Sequence, residues 1–170
     1  MMRGFGFSTI GLAVSILVAT PALAQQASRL STHNDWGSYA YTNEQRQKVC
    51  YVLSMPVDKQ PSSLDHGDIY FLVTQKPGQA SAFEPQFSAG YDMQENSKVT
   101  VRIGDRSFSL FVRGRSAWLE NPAEEPQMIA AMRGGADMAI AAKSGRGNDT
   151  SYKFSLRGIS AALASIQNCK

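Results

Sequence analysis

The sequence is poor in the residues that carry most enzyme chemistry: two cysteines and two histidines stand among 170 positions. Cys50 and Cys169 lie far apart, and the chain has no Cys-x-x-Cys, which argues against a dithiol redox centre. With so few soft ligands and no zinc-type spacing, neither a metal nor a cofactor is expected. Charge of one sign is also scarce. Seventeen basic side chains face fourteen acidic ones, a net of +3, which makes no case for nucleic acid as a partner. Internal repeats and low-complexity tracts are missing. Beyond the N-terminus no apolar run reaches the roughly 18 to 20 residues that cross hydrocarbon.

The one long apolar stretch is at the start. Met1-Met2-Arg3 is a short basic opening, and Phe5 to Ala19 is apolar apart from small residues. Pro21 then breaks the run, and Ala22-Leu23-Ala24 precedes polar Gln25-Gln26. This three-part pattern predicts a cleavable secretory signal over residues 1–24, cut between Ala24 and Gln25. The run is too short for a membrane anchor, and no cysteine beside the cut offers a site for lipid. Loss of the signal takes Arg3 with it and leaves 146 residues, with 16 basic and 14 acidic side chains. That is one domain's worth of chain. The expectation is an exported, periplasmic protein that is soluble or only peripherally attached. In an oxidising compartment an even cysteine count favours a Cys50–Cys169 disulfide, with two buried free thiols as the alternative.

Residues 25–35 are polar and aperiodic and read as a flexible leader. From residue 36 to 170 the chain reads as a single domain of short runs rich in β-branched and aromatic residues. The predicted strands are Trp36 to Thr42, Lys48 to Met55, Ile69 to Gln75, Val99 to Ile103, Ser107 to Val112, Ala136 to Ala142 and Thr150 to Leu156. Such spacing predicts an all-β antiparallel sandwich or barrel. One hairpin can be read residue by residue. Gly104-Asp105 suits a two-residue turn with glycine first, which sets Val101 opposite Phe108 and Val99 opposite Leu110. Arg102 then meets Ser107, Thr100 meets Ser109, and both strands turn their apolar sides to one face. Two short helices are expected, one from Pro126 to the glycines at 134 and 135, the other from Ile159 to Asn168. A Cys50 bridge would clamp the second onto a strand.

Candidate sites are weak. Gly114-Arg115-Ser116-Ala117-Trp118 has the outline of a nucleophile elbow but carries Trp118 where the closing glycine belongs, and it reads better as a turn into a strand. His33 falls in the leader, where nothing would hold it in catalytic geometry. Asp65-His66-Gly67-Asp68 gathers polar groups before a strand, yet it matches no metal spacing and is ordinary turn chemistry. Gly145-Arg146-Gly147-Asn148 lacks the lysine and the strand-loop-helix setting of a phosphate loop, and Asn148-Asp149-Thr150 is formally a glycosylation sequon. Arg102, Arg106, Arg113 and Arg115 surround one hairpin, with Phe111 facing outward. Arg102, Arg113, Arg115 and Phe111 are the candidate interaction surface, for an acidic partner, an anionic headgroup or a polysaccharide; the bland reading is a solvated face.

Several segments, taken in order, resemble a known family. They are Trp36, Val49-Cys50-Tyr51, Gly67-Asp68-Ile69-Tyr70-Phe71-Leu72-Val73-Thr74, Ala89-Gly90-Tyr91, Ala117-Trp118 and Ala130-Ala131-Met132. Ser144-Gly145-Arg146-Gly147, Thr150 to Leu156, Gly158, Ala161-Ala162-Leu163 and the terminal Cys169 complete the set. In this order and spacing the chain resembles the invasion-associated locus B family of exported proteins. The resemblance implies an immunoglobulin-like β-sandwich in the periplasm or envelope and, in some pathogenic members, a link to invasion of host cells. It supplies no catalytic residues. The expectation is a non-enzymatic module that binds an envelope or host protein; the alternative is a periplasmic hydrolase whose groups meet only in three dimensions.

Overall fold

The computed structural model describes residues 27–76, 82–167 and 169. The signal expected over 1–24, and its cut between Ala24 and Gln25, lie outside them. In chain order come β1 (Ser28–His33), β2 (Trp36–Thr42), β3 (Lys48–Ser54), β4 (Asp58–Gln60), β5 (Tyr70–Gln75) and β6 (Phe83–Ser88). They are followed by β7 (Lys98–Ile103), β8 (Arg106–Arg113), β9 (Ser116–Leu119), α1 (Glu125–Gly134), β10 (Asp137–Lys143), β11 (Asp149–Ser155) and α2 (Ile159–Ile166). Every paired neighbour is antiparallel, in the order β1-β2-β3-β5-β6-β9-β8-β7-β10-β11-β4. The chain forms the expected all-β antiparallel sandwich with short helices, one of them C-terminal. Hydrogen bonding runs unbroken through the whole sheet, which folds over so that its two halves face each other. The closure is fastened where β2 begins and β11 ends: Trp36 Nε1 donates to the Ser155 carbonyl at 3.0 Å, and Ser155 Oγ to Asp35 Oδ2 at 2.6 Å.

The hairpin between β7 and β8 has the register read from its alternation, with Val101 against Phe108, Val99 against Leu110 and Arg102 against Ser107. Gly104 carries the positive φ of +58° that a glycine-first turn requires. Alternation decides what is buried elsewhere too. Phe71, Val73 and Phe87 are buried on β5 and β6, and Phe71 meets Phe154 and Phe87 meets Tyr152 from β11. Burying aromatic faces of this size supplies much of the driving force for closing the sandwich, at roughly 25 cal/mol per Å² of apolar surface.

The helices plug the core. α1 starts at Glu125, with Pro126 in its first turn where a missing N–H costs nothing. Pro122 opens a separate 3-10 turn, capped by Asn121 Oδ1, which accepts from Ala123 N at 3.1 Å. α2 buries Ile159, Ala162, Leu163 and Ile166, one apolar face against β1, β2 and β3. Cys169 follows it and is bonded to Cys50 on β3, with Cα atoms 5.9 Å apart.

One expectation needs correction. The stretch read as a flexible leader, 25–35, contains β1, which pairs with β2 from Ser28 opposite Ala40 to His33 opposite Trp36. Apart from Leu30 its side chains are polar, as suits an edge strand with its outer side in water. Arg29 holds it there, donating through Nη2 to Tyr39 Oη at 2.9 Å while its guanidinium lies 5.4 Å from the ring centre. His33 is therefore held in place rather than loose, with Nε2 2.8 Å from Ser31 Oγ.

Candidate functional site

The two histidine-bearing candidates resolve into structure. Gly67 N donates to Asp65 Oδ1 at 2.9 Å, the turn chemistry expected of this tetrapeptide. It sends His66 inward, where the ring is almost wholly buried. His66 Nε2 lies 2.9 Å from the Pro61 carbonyl, and Nδ1 lies 2.9 Å from Tyr152 Oη. From Tyr152 the chain of hydroxyls passes to Tyr91 at 2.8 Å and on to Thr150 at 2.6 Å, which donates to the Ala142 carbonyl at 3.2 Å. Burial, and then the Tyr91 hydroxyl, push the Tyr152 phenol above its ordinary range, so it stays protonated near neutral pH. Among the described residues no carboxylate takes part in this chain of hydrogen bonds. It ties the loop before β5 to β11 and satisfies groups that would be costly to leave bare.

This chain carries a prediction. Tyr152→Phe removes one hydroxyl and strands His66 Nδ1 in the interior, while Tyr91 keeps Thr150 as its partner. The expected cost is about 1–3 kcal/mol, read as a lower urea midpoint with an unchanged m-value. A midpoint equal to that of the parent protein would mean that water replaces the lost partner.

The elbow-like segment is a hairpin. Gly114 takes a φ of +60° between β8 and β9, and Ser116 Oγ accepts from Gln86 Nε2 at 2.9 Å. The Gly145 to Asn148 segment is likewise the turn between β10 and β11, closed by Gly147 N to Ser144 O at 2.8 Å. Among the described residues no three His, Cys, Asp or Glu side chains are placed to share a metal.

The four arginines are not one cluster. Arg102 stands opposite Ser107 near one end of the β7–β8 hairpin, whereas Arg113 ends β8 opposite Ser116. The six positions between Ser107 and Arg113 separate those levels by about 20 Å. Arg106 begins β8 and lines a separate depression with Ala130 and Ala131 of α1. Arg115, in the β8–β9 turn, is paired with Asp92 at 3.2 Å, both in open solvent, an arrangement worth little.

What the fold does bring together is Phe111 and Arg113 with residues from four other segments. Phe111 faces Trp118 directly across the β8–β9 ladder, and the rings lie 5.8 Å apart at a 30° tilt. Lys98 stands beside Phe111 on β7, and Gln86 beside Trp118 on β6, so one row crosses four strands on the outer face. Phe111 is 44% exposed. A depression of about 320 Å³ opens over this shelf, lined by Glu84, Phe111, Arg113, Trp118, Leu119, Pro122 and Glu125. Two ion pairs border it: Lys76 with Glu125 at 2.7 Å and Lys98 with Glu120 at 2.9 Å. Hydrogen bonds from Lys98, then Ser109, hold the Glu120 carboxyl below its usual range. Neither Arg113 nor Glu84 is engaged in an ion pair or side-chain hydrogen bond among the described residues.

Of this site, the sequence pointed to Phe111 and Arg113. Trp118 stood out as the residue that spoils an elbow and as part of the family resemblance, not as a site residue, and Glu84, Pro122 and Glu125 carried no individual signal. The available signal was the alternation of Phe83-Glu84-Pro85-Gln86-Phe87, interrupted by a proline that removes a ladder donor.

A family model described as invasion associated locus B (IalB) protein matches residues 36–167. The chain belongs to that family. The IalB match begins at Trp36, the residue that fastens the sandwich, and takes in every residue lining the depression. Among solved structures, the crystal structure of invasion associated protein B from Bartonella henselae is similar, with a TM-score of 0.57 at 14% identity. The likeness covers 81% of this chain and 96% of that one, and at such identity it speaks for the IalB fold alone. Curated protein sequences give no match.

Proposed function

We propose that this IalB protein is an exported, periplasmic, non-enzymatic binding module that engages a protein or another component of the cell envelope through its Phe111–Trp118 face. The observation that carries the reading is exposed Phe111 stacked beside half-buried Trp118, with an arginine and a glutamate nearby that have no ion-pair partner among the described residues. Aromatics with arginine are what binding surfaces concentrate. The predicted signal and the Cys50–Cys169 bridge support an oxidising location. No helix among the described residues is long and apolar enough to cross a membrane.

The hydrolase alternative expected a pocket with perturbed carboxylates or His66 at its wall. His66 is instead buried between Tyr152 and Pro61 and does not line the depression over Phe111, so that reading has lost the histidine it relied on.

The test is crosslinking in living cells with chain tagged after Lys170, scored by mass spectrometry. Capture of an envelope component is expected to fall at least tenfold in a Phe111→Ser/Arg113→Glu double variant. Arg102→Glu, at the far end of the hairpin, is expected to leave capture unchanged. Equal loss in both would assign the effect to net charge and refute this face as the binding surface.

A further inference from the structure

The depression over Phe111 and Trp118 is built for a particular chemistry of ligand. We propose that it binds a neutral saccharide segment, with a sugar ring stacked on the two aromatics and its hydroxyls held by Arg113 and Glu84. The proposal rests on the reading of this face as a binding surface and names what it binds.

Size comes first. About 320 Å³ is at the small end of ligand pockets, which run roughly from 300 to 1,000 Å³, and suits a short oligosaccharide better than a folded domain. The floor is aromatic and apolar, from Phe111, Trp118, Leu119 and Pro122. A pyranose presents one face of C–H bonds, slightly positive, which matches the negative face of an aromatic ring. Around its edge it presents hydroxyls, each both donor and acceptor. Arg113 offers a planar array of donors only, and an ionised Glu84 offers acceptors only, so together they meet both halves of a hydroxyl's bonding.

The competing classes fit less well. A peptide added as a strand needs an unpaired backbone edge. β9 is paired on both sides, with β6 and β8, and β8 with β9 and β7, so the shelf has no such edge where the rings lie. A polyanion needs clustered positive charge. Here Lys76 and Lys98 are each already paired with a carboxylate, which leaves Arg113 as the unpaired cation of the lining, offset by the carboxylate of Glu84.

The molecule supplies its own reporter. Of its two tryptophans, Trp36 is fully buried, so changes in emission on adding ligand report Trp118. The experiment titrates the folded, oxidised protein with chitotetraose and with maltotetraose and follows tryptophan fluorescence. The expected result is a saturable change with at least one of them. In Phe111→Ala and in Glu84→Gln the affinity falls at least tenfold; in Arg102→Ala it does not move. Circular dichroism of each variant establishes that it is folded. No saturable change with either sugar overturns the saccharide assignment, as does a change that persists in both pocket variants. If the crosslinking experiment meanwhile captures a protein through the same face, the binding reading stands and only the ligand class is wrong. Failure of both removes the surface altogether.

Discussion

Reducing the Cys50–Cys169 disulfide is expected to lower the stability of this protein by about 3–5 kcal/mol, and a Cys50→Ala/Cys169→Ala variant should behave the same way. The bridge joins positions 119 apart in sequence. A cross-link acts chiefly by restricting the unfolded chain, and the entropy removed grows with the logarithm of the loop, to roughly 5 kcal/mol here. Domains of this size hold only about 5–15 kcal/mol in all. A loss on that scale corresponds to a melting temperature lower by about 10 °C. Thermal and urea unfolding with and without reductant would measure it, and the m-value should rise as the freed chain expands. A reduced protein within 1 kcal/mol of the oxidised one would mean that α2 is held by packing alone.

The second large effect is expected at Gly158, which caps α2 with a φ of +93°. A Cβ there would meet the His33 carbonyl oxygen, with the His33 carbonyl carbon at 2.6 Å. Both are backbone atoms of β1, and neither can swing aside as a side chain would. Gly158→Ala must therefore push β1 off the helix or the helix off β1. Gly147 provides the control, because its φ of +86° is equally unfavourable for alanine while nothing lies within 4 Å of its would-be Cβ. Gly147→Ala is expected to cost about 1 kcal/mol, the left-handed conformation alone, and Gly158→Ala about 3 kcal/mol or more. Hydrogen exchange adds the location: the β1 amides should lose protection in Gly158→Ala and keep it in Gly147→Ala. Equal costs at the two sites would show that β1 yields freely.

The two strands whose apolar residues alternate around a glycine-first turn, β7 and β8, were legible down to their register, because a slip of one residue would bury Arg102. α2 was legible from Ile159, Ala162, Leu163 and Ile166. β1 was not, since an edge strand bathed in water has no hydrophobic pattern to read, and what holds it is its ladder with β2 and the helix behind it. β4, three residues long, is too short for periodicity to mean anything. The disulfide followed from cysteine number and compartment. The depression over Phe111 was only half legible for a different reason. Its residues come from β6, β8, β9, the 3-10 turn and α1, and only the pairing of β9 between β6 and β8 makes them neighbours. Pairing partners that skip in sequence leave no local mark.

α2 is gripped at both ends, by the tight fit of Gly158 under β1 at its start and by the Cys169 bridge to β3 just past its finish. The first three strands thus complete their core with the last segment of the chain. A polypeptide made N-terminus first therefore cannot finish its opening strands while the rest is still arriving, and contacts spanning this much sequence are slow to form. Folding is deferred until α2 has been made, a timing that suits the proposed export, in which an unfolded chain would cross a membrane and be locked by oxidation on the far side.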